Sequence, residues 1–406
     1  MKNALILSLF LGCSQIIAQH STCDGTRYVD NVFTEVKVTS DIKYGENVTW
    51  GGANKELFLD IYEPMGDTET RRPTIVLGFG GSFISGAKED LANLCESYAM
   101  KGYVAVSIDY RLYDGPLLPL PSEAVMKDVV VKAIGDFKAA VRLLKEDANN
   151  SNTYGIDPAF VMSGGVSAGA IAAAHVAMLD SSDPVPNDLL DIITANGGFE
   201  GNTSFNNEYS SEVIALVNFS GALNNATLIT EGDPAFFSVH DDNDPTVPYG
   251  NGSVTIFGFP IAVIEGSARM TEVGDSIGIM NELVTIENST EHVSYFGDPT
   301  SSEMMINQSA IFMENVVCNE IISSTQDLED IPKITLFPNP SNGVVNIETD
   351  SFIGKTVLYN LAGQMIAQYK GNTVLNLHKL ENGIYIMKIF DEDAQLIANK
   401  RIIINR

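Results

Sequence analysis

From Leu57 to Ile286 short apolar runs alternate with stretches whose apolar residues recur every three or four positions. "LFLDIYEP", "PTIVLGFGG", "YVAVSIDYRL", "AFVMSGG", "EVIALVNFSG", "AFFSVH" and "ELVTIEN" are short, apolar and rich in β-branched residues, the pattern of buried strands. Between them, "KEDLANLCESYAMKG" reads as a helix. So does the segment with apolar residues at Met126, Val130, Ile134, Phe137, Val141 and Leu144. A helix of small residues starts at Ala168, and "SARMTEVGDSIGIMNE" reads as one more. Buried strands separated by helices predict a mostly parallel sheet covered on both faces. In such a sheet the active site lies at the carboxyl ends of the strands.

The texture changes at residues 322–333, "ISSTQDLEDIPK", which are polar and acidic. Beyond them, short alternating strands and glycine-bearing turns predict a small all-β sandwich. The expected organisation is a leader at 1–19, a catalytic body at 20–321, a linker at 322–333 and a β module at 334–406. The leader rests on one lysine, an apolar run and a small-residue end, the layout of a secretory signal peptide. No later apolar stretch has spanning length, so no transmembrane segment is expected.

Charge divides the same way. The 406 residues carry a net charge of −28, yet the β module has seven basic and six acidic residues. The acidic body repels phosphate backbones and anionic lipid, which argues against nucleic-acid and membrane partners. Loss of the leader removes Cys13 and leaves Cys23, Cys95 and Cys318. In an exported protein two of these pair and one is left over. Cys23 with Cys318 would tie the ends of the body together; a pairing through Cys95 stays open.

Chemistry enters at "SGGVSAGA", where Ser167 stands between glycines at a predicted strand-to-helix turn. A G-x-S-x-G match alone is weak. A serine nucleophile needs a base, an orienting carboxylate and backbone donors for the oxyanion. In α/β-hydrolase topology the triad follows in the order Ser, Asp or Glu, His. Five histidines make elimination informative. His20 lies at the leader and His378 in the β module. His175 is eight residues along the same helix, about 12 Å from Ser167 and out of reach. His240 precedes the acid candidates. His292, after a strand, is left as the general base. The acid is expected in "HDDNDPTVPYG": Asp244 is preferred because a proline-fixed turn follows it, with Asp241 and Asp242 as solvated loop residues. The loop lacks the ligand pattern of an EF-hand, and neither a metal nor a cofactor is expected. For the oxyanion hole, Ala168 supplies one N–H, and Gly81 and Ser82 in "GFGGSFISG" supply the others.

Taken together, "RPTIVLGFGGSFISG", "GYVAVSIDYRL", "YGIDPAFVMSGGVSAGA", "DPTVP" and His292 resemble the α/β-hydrolase carboxylesterases with an H-G-G-type oxyanion loop, over residues 33–316. The resemblance implies a serine hydrolase of small-molecule or polysaccharide-linked esters, with Ser167, Asp244 and His292 as the triad. Secreted bacterial members often resemble acetyl-xylan and feruloyl esterases. Phe79 stands where the family has a histidine that buttresses the oxyanion loop, so the support of that loop is left open. A serine peptidase of the same fold and a catalytically silent binding protein are the alternatives. "NGGFEGNTSFNNEYSSE" is expected to shape the acyl and alcohol pockets. The β module, with "LFPNPSNGVVNIE", "LENGIYIMKI" and "KRIIINR", resembles the C-terminal sorting domain of the type IX (Por) secretion system of Bacteroidetes. That resemblance implies the type IX machinery as a partner and an extracellular or cell-surface location.

Overall fold

The computed structural model describes residues 22–204, 206–318 and, within 334–406, all but 340, 350–351, 361–364, 391–395 and 405. The leader and the linker expected from the sequence, and His20 with them, lie outside the described residues. Thr22–Val317 forms one compact unit and the residues that follow form another.

In the larger unit the chain runs β1 (Val36–Val48), β2 (Asn54–Pro64), β3 (Arg72–Gly78), α1 (Ala92–Met100), β4 (Val104–Ile108) and α2 (Glu123–Asn149). It continues through β5 (Ile156–Val166), α3 (Ala168–Met178), α4 (Asn187–Ala195), β6 (Ala215–Phe219), β7 (Ala222–Leu223) and β8 (Ala235–Asp241). Then come β9 (Asn251–Ile256), β10 (Phe259–Gly266), α5 (Ser267–Ile277), β11 (Asn281–Ile286) and α6 (Pro299–Cys318). Eight strands form one sheet in the order β1-β2-β4-β3-β5-β6-β8-β11. β1 and β2 are antiparallel, β2 is antiparallel to β4, and every pairing beyond is parallel.

Every residue of β3, β4 and β6 is buried, as continuous apolar runs require when helices cover both faces. α2 starts at Ser122, whose hydroxyl accepts from the Val125 N–H, and buries Met126, Val129, Ile134, Phe137, Val141 and Leu144. α3 is almost wholly buried and built of small residues, so its backbone approaches the sheet closely. A Cβ on Gly169 would lie 2.1 Å from the Gly78 carbonyl oxygen, which only glycine at that position avoids.

The sequence pattern missed β1, the hairpin β9–β10, α4 and α6. The hairpin β9–β10 is inserted between β8 and α5, and β10 also pairs with β7, making a small three-stranded sheet. Cys23 and Cys318 are disulfide-bonded, and Cys95 is a buried free thiol whose ionisation burial opposes. Among the described residues no helix is long and apolar enough to cross a membrane.

The smaller unit holds β12 (Thr335–Phe337), β13 (Val344–Glu348) and β16 (Val374–Asn376) in one sheet. β14 (Lys355–Asn360), β15 (Met365–Lys370), β17 (Gly383–Phe390) and β18 (Leu396–Ile404) form a second. All the pairings are antiparallel. Val345, Ile347 and Leu375 of the first sheet share one core with Leu358, Met387 and Ile402 of the second, a small sandwich.

Candidate active site

Ser167 stands between the end of β5 and the start of α3 with φ 54° and ψ −117°, a conformation costly for a side-chain-bearing residue. The turn is held from outside: the Ser167 N–H donates to the Phe219 carbonyl at 2.8 Å, tying it to the end of β6. Strain of this kind lifts the hydroxyl off the sheet toward open space.

His292 lies in the loop after β11. Its Nε2 is 2.8 Å from Ser167 Oγ, and its Nδ1 is 2.6 Å from Asp244 Oδ2. The Asp244 carboxylate has no solvent exposure, and the imidazole retains 19%. Oδ1 of Asp244 accepts from the N–H groups of Thr246 and Val247 at 2.8 and 3.1 Å, the tight turn that the proline-bearing segment makes. Burial opposes ionisation of Asp244. Hydrogen bonds from His240 and then His292 outweigh it and bring the carboxyl down to about 2. An ionised acid fixes the tautomer of its partner: Nδ1–H of His292 donates to Asp244, and Nε2 is left to accept from the serine.

The acidic loop does more than the sequence reading assigned to it. Asp241 is fully buried and accepts from the N–H and the hydroxyl of Ser294. Asp242 accepts from the N–H groups of Asn288 and Ser289 at 2.9 and 3.0 Å. Asp241 is thus buried rather than solvated, Asp242 keeps partial exposure, and the two clamp the loop that carries His292 from either side of it. No short-range signal could find these bonds, which join residues about fifty positions apart.

His240, set aside by chain order, is fully buried on β8. Its Nε2 donates to the Val247 carbonyl at 3.0 Å and lies 3.4 Å from Asp244 Oδ2. Its Nδ1 accepts from the Ser267 hydroxyl at 2.8 Å. Ser267 Oγ in turn accepts from the Asn218 amide at 3.1 Å, so a buried polar chain runs from the acid to β6. His175 is buried in α3 with both ring nitrogens engaged, by the Ile171 carbonyl and the Asn224 N–H.

Ser82, Phe83 and Ala168 line the pocket beside Ser167. Among the described residues neither the Ser82 nor the Ala168 N–H has a protein acceptor. Ala168 opens α3, where the helix terminus adds its own positive potential. Gly81 sits one residue back, at the turn: its φ is +121°, and a Cβ there would lie 2.0 Å from the Ser85 carbonyl oxygen. Ser82 and Phe83 follow it at φ +57° and +59°. The support left open by Phe79 is aromatic. Phe79 stacks on Tyr110 with ring centroids 4.3 Å apart, and the Tyr110 hydroxyl donates to the Phe79 carbonyl at 2.6 Å. The Tyr113 N–H holds the Phe83 carbonyl at 2.7 Å.

The pocket walls come from α2, α3 and the hairpin β9–β10. Among the described residues of the polar segment from Asn196 to Glu212, expected to shape the pocket, none lines it; Gly198 and Phe199 reach a small neighbouring cavity. That segment instead engages α2, where the Arg142 guanidinium donates to Glu200 and Ser204. Among the described residues no group of three or more His, Cys, Asp or Glu is arranged to hold a metal ion.

Residues 59–228 match the family model BD-FAE, and residues 335–405 match the secretion system C-terminal sorting domain. No curated protein sequence matches the chain. Among solved structures the fold is similar to that of Thermogutta terrifontis esterase 2. The form phosphorylated by paraoxon aligns at a TM-score of 0.51 and 22% identity, covering 69% of this chain and 94% of that one. The native form aligns at 0.50 and 22%, covering 73% and 98%. The sorting domain implies the type IX secretion machinery and a cell-surface or extracellular location. The chain thus joins a BD-FAE domain, a carboxylesterase-type hydrolase of the α/β-hydrolase fold, to a secretion system C-terminal sorting domain.

Proposed function

We propose that the protein is a secreted serine esterase that cleaves carboxylic esters through an acyl-enzyme. The observation that carries this reading is the hydrogen-bonded chain from Ser167 through His292 to Asp244, opening on a pocket lined by Ser82 and Ala168. His292 Nε2 takes the Ser167 proton as Oγ attacks the ester carbonyl. The imidazolium formed is stabilised by the ionised Asp244, which stays ionised throughout. The N–H groups of Gly81, Ser82 and Ala168 receive the oxyanion, and the glycine conformation at Gly81 sets the turn that presents them; one such donor contributes about 10² to 10³ in rate.

Collapse of the tetrahedral intermediate breaks the bond to the leaving oxygen, and His292 returns its proton there. A water deprotonated by the same imidazole then attacks the acyl-enzyme, and the released Ser167 recovers its proton. Nothing in this sequence calls on a cofactor.

The experiment is hydrolysis of p-nitrophenyl esters by the wild type and by Ser167→Ala, His292→Ala and Asp244→Asn. Serine and histidine changes should each remove nearly all activity, since nucleophile and base act as a unit. Asp244→Asn should cost about 10⁴ in kcat through the wrong tautomer. Retention of activity in Ser167→Ala defeats the reading. If Asp241→Asn or Asp242→Asn proved the damaging change while Asp244→Asn was mild, the orienting acid would be reassigned.

A further inference from the structure

A slot leads away from Ser167 along one face of α3. Ala168, Ile171, His175 and Leu179 line it at intervals of three and four residues, so a single helical face supplies a whole wall. Ala168 and Leu179 are eleven residues apart, a rise of about 16 Å along the helix. Met126, Val130, Val131 and Ile134 of α2 form a second wall at the same kind of spacing. Val254, Ile256, Ile261, Ala262 and Ile264 of the hairpin β9–β10 form the third. Val131, Ile134 and Leu179 also border a smaller cavity with Ile193 and Phe199, so the lining stays apolar at the end remote from the serine.

The slot is long, thin and uncharged. Its volume is about 120 Å³. His175 has both ring nitrogens satisfied, and burial holds its pKa below the ordinary value, so it stays neutral. Glu123 and Lys127, at the solvent edge, neutralise each other at 2.9 Å. Such walls offer little to the hydroxyls of a sugar and nothing to a charged acid, while they remove methylenes from water along their length.

We infer that the slot holds the acyl chain of medium-chain, straight-chain fatty acid esters, with the carbonyl at Ser167 and the chain directed along α3 toward Leu179. This deepens, and rests on, the serine-esterase reading above. The roof over the chain is the hairpin β9–β10.

The test is kcat/KM for p-nitrophenyl acetate, butyrate, hexanoate, octanoate and decanoate, with p-nitrophenyl cinnamate beside them. Each methylene taken into the slot should raise kcat/KM roughly fourfold up to octanoate. In Ala262→Phe, which narrows the slot from the roof, the ratio of octanoate to acetate should fall at least tenfold. Ala262→Leu, a smaller intrusion, should lower the same ratio by less and covers failure of the larger side chain to fold. A flat or falling series, or preference for cinnamate over octanoate, overturns the inference and leaves the esterase reading standing. Failure to hydrolyse any member overturns both.

Discussion

His240 and Asp244 lie side by side without solvent access, Nε2 of the one 3.4 Å from Oδ2 of the other. The same oxygen accepts from His292 at 2.6 Å, so two histidines converge on one carboxylate oxygen and only one of them faces the serine. His240 is engaged on every side, by Val247, Ser267 and Asp244, and reaches no substrate. In the proposed mechanism it positions the acid. His240→Ala should therefore lower kcat by about 10- to 100-fold with KM little changed, as a misplaced catalytic group does. Steady-state kinetics on a short-chain ester, with circular dichroism to confirm folding, reads this out.

The low pKa of Asp244 makes a statement about stability. A carboxyl depressed in the folded state stabilises the protein above its unfolded pKa, near 4, and that contribution is lost as pH falls through the folded value near 2. Two pH units correspond to about 3 kcal/mol. Thermal unfolding followed from pH 5 to pH 2 should show the wild type losing stability more steeply than Asp244→Asn over the lower part of that window. Parallel curves would mean that the carboxylate is not held as its partners imply.

At Gly81 the backbone requirement can be separated from the chemistry. Its φ of +121° and the Ser85 carbonyl beside it exclude a Cβ without displacement of the loop. Gly81→Ala should cost about 1–3 kcal/mol of stability. It should also cost roughly 10²-fold or more in kcat, because Ser82 is moved off the oxyanion position. A variant with full activity would remove this loop from the mechanism.

Much of the sheet was legible because its central strands are buried on both faces and read as unbroken apolar runs, as in β3, β4 and β6. The meeting of Ser167 and His292 could be anticipated because the chain has few histidines and α/β-hydrolase topology prescribes an order. What the sequence concealed depends on long-range closure. Asp241 and Asp242 look like solvated loop residues until Ser294, Asn288 and Ser289 are brought over them. The approach of His240 to Asp244 exists only once the turn at Pro245 folds the acid back. The hairpin β9–β10 is not legible although "SVTIFGFPIAVI" alternates, since its Phe257-Gly258 turn lacks the Asn-Gly or Asp-Gly signature. α6 opens with "PTSSEMMINQS", whose serines and asparagine weaken a helical pattern that tertiary packing then restores.

The described residues of 334–406 have a hydrophobic core of their own. A chain ending at Ser324 keeps Cys318 and should retain full esterase activity when purified. In the native host it should accumulate in the periplasm, read by fractionation and activity assay. Normal secretion of the truncated chain would contradict the sorting role.

The central claim is that Ser167 is the nucleophile, and its most direct test is covalent capture. An activated serine is captured covalently by an organophosphate, so paraoxon is the probe. The full-length protein, inactivated with paraoxon and digested, should yield one stoichiometric adduct by mass spectrometry, on the peptide containing Ser167. Ser167→Ala should carry none, and His292→Ala should label far more slowly. An adduct on another serine that tracks the loss of activity, or inactivation without labelling of Ser167, would contradict the account.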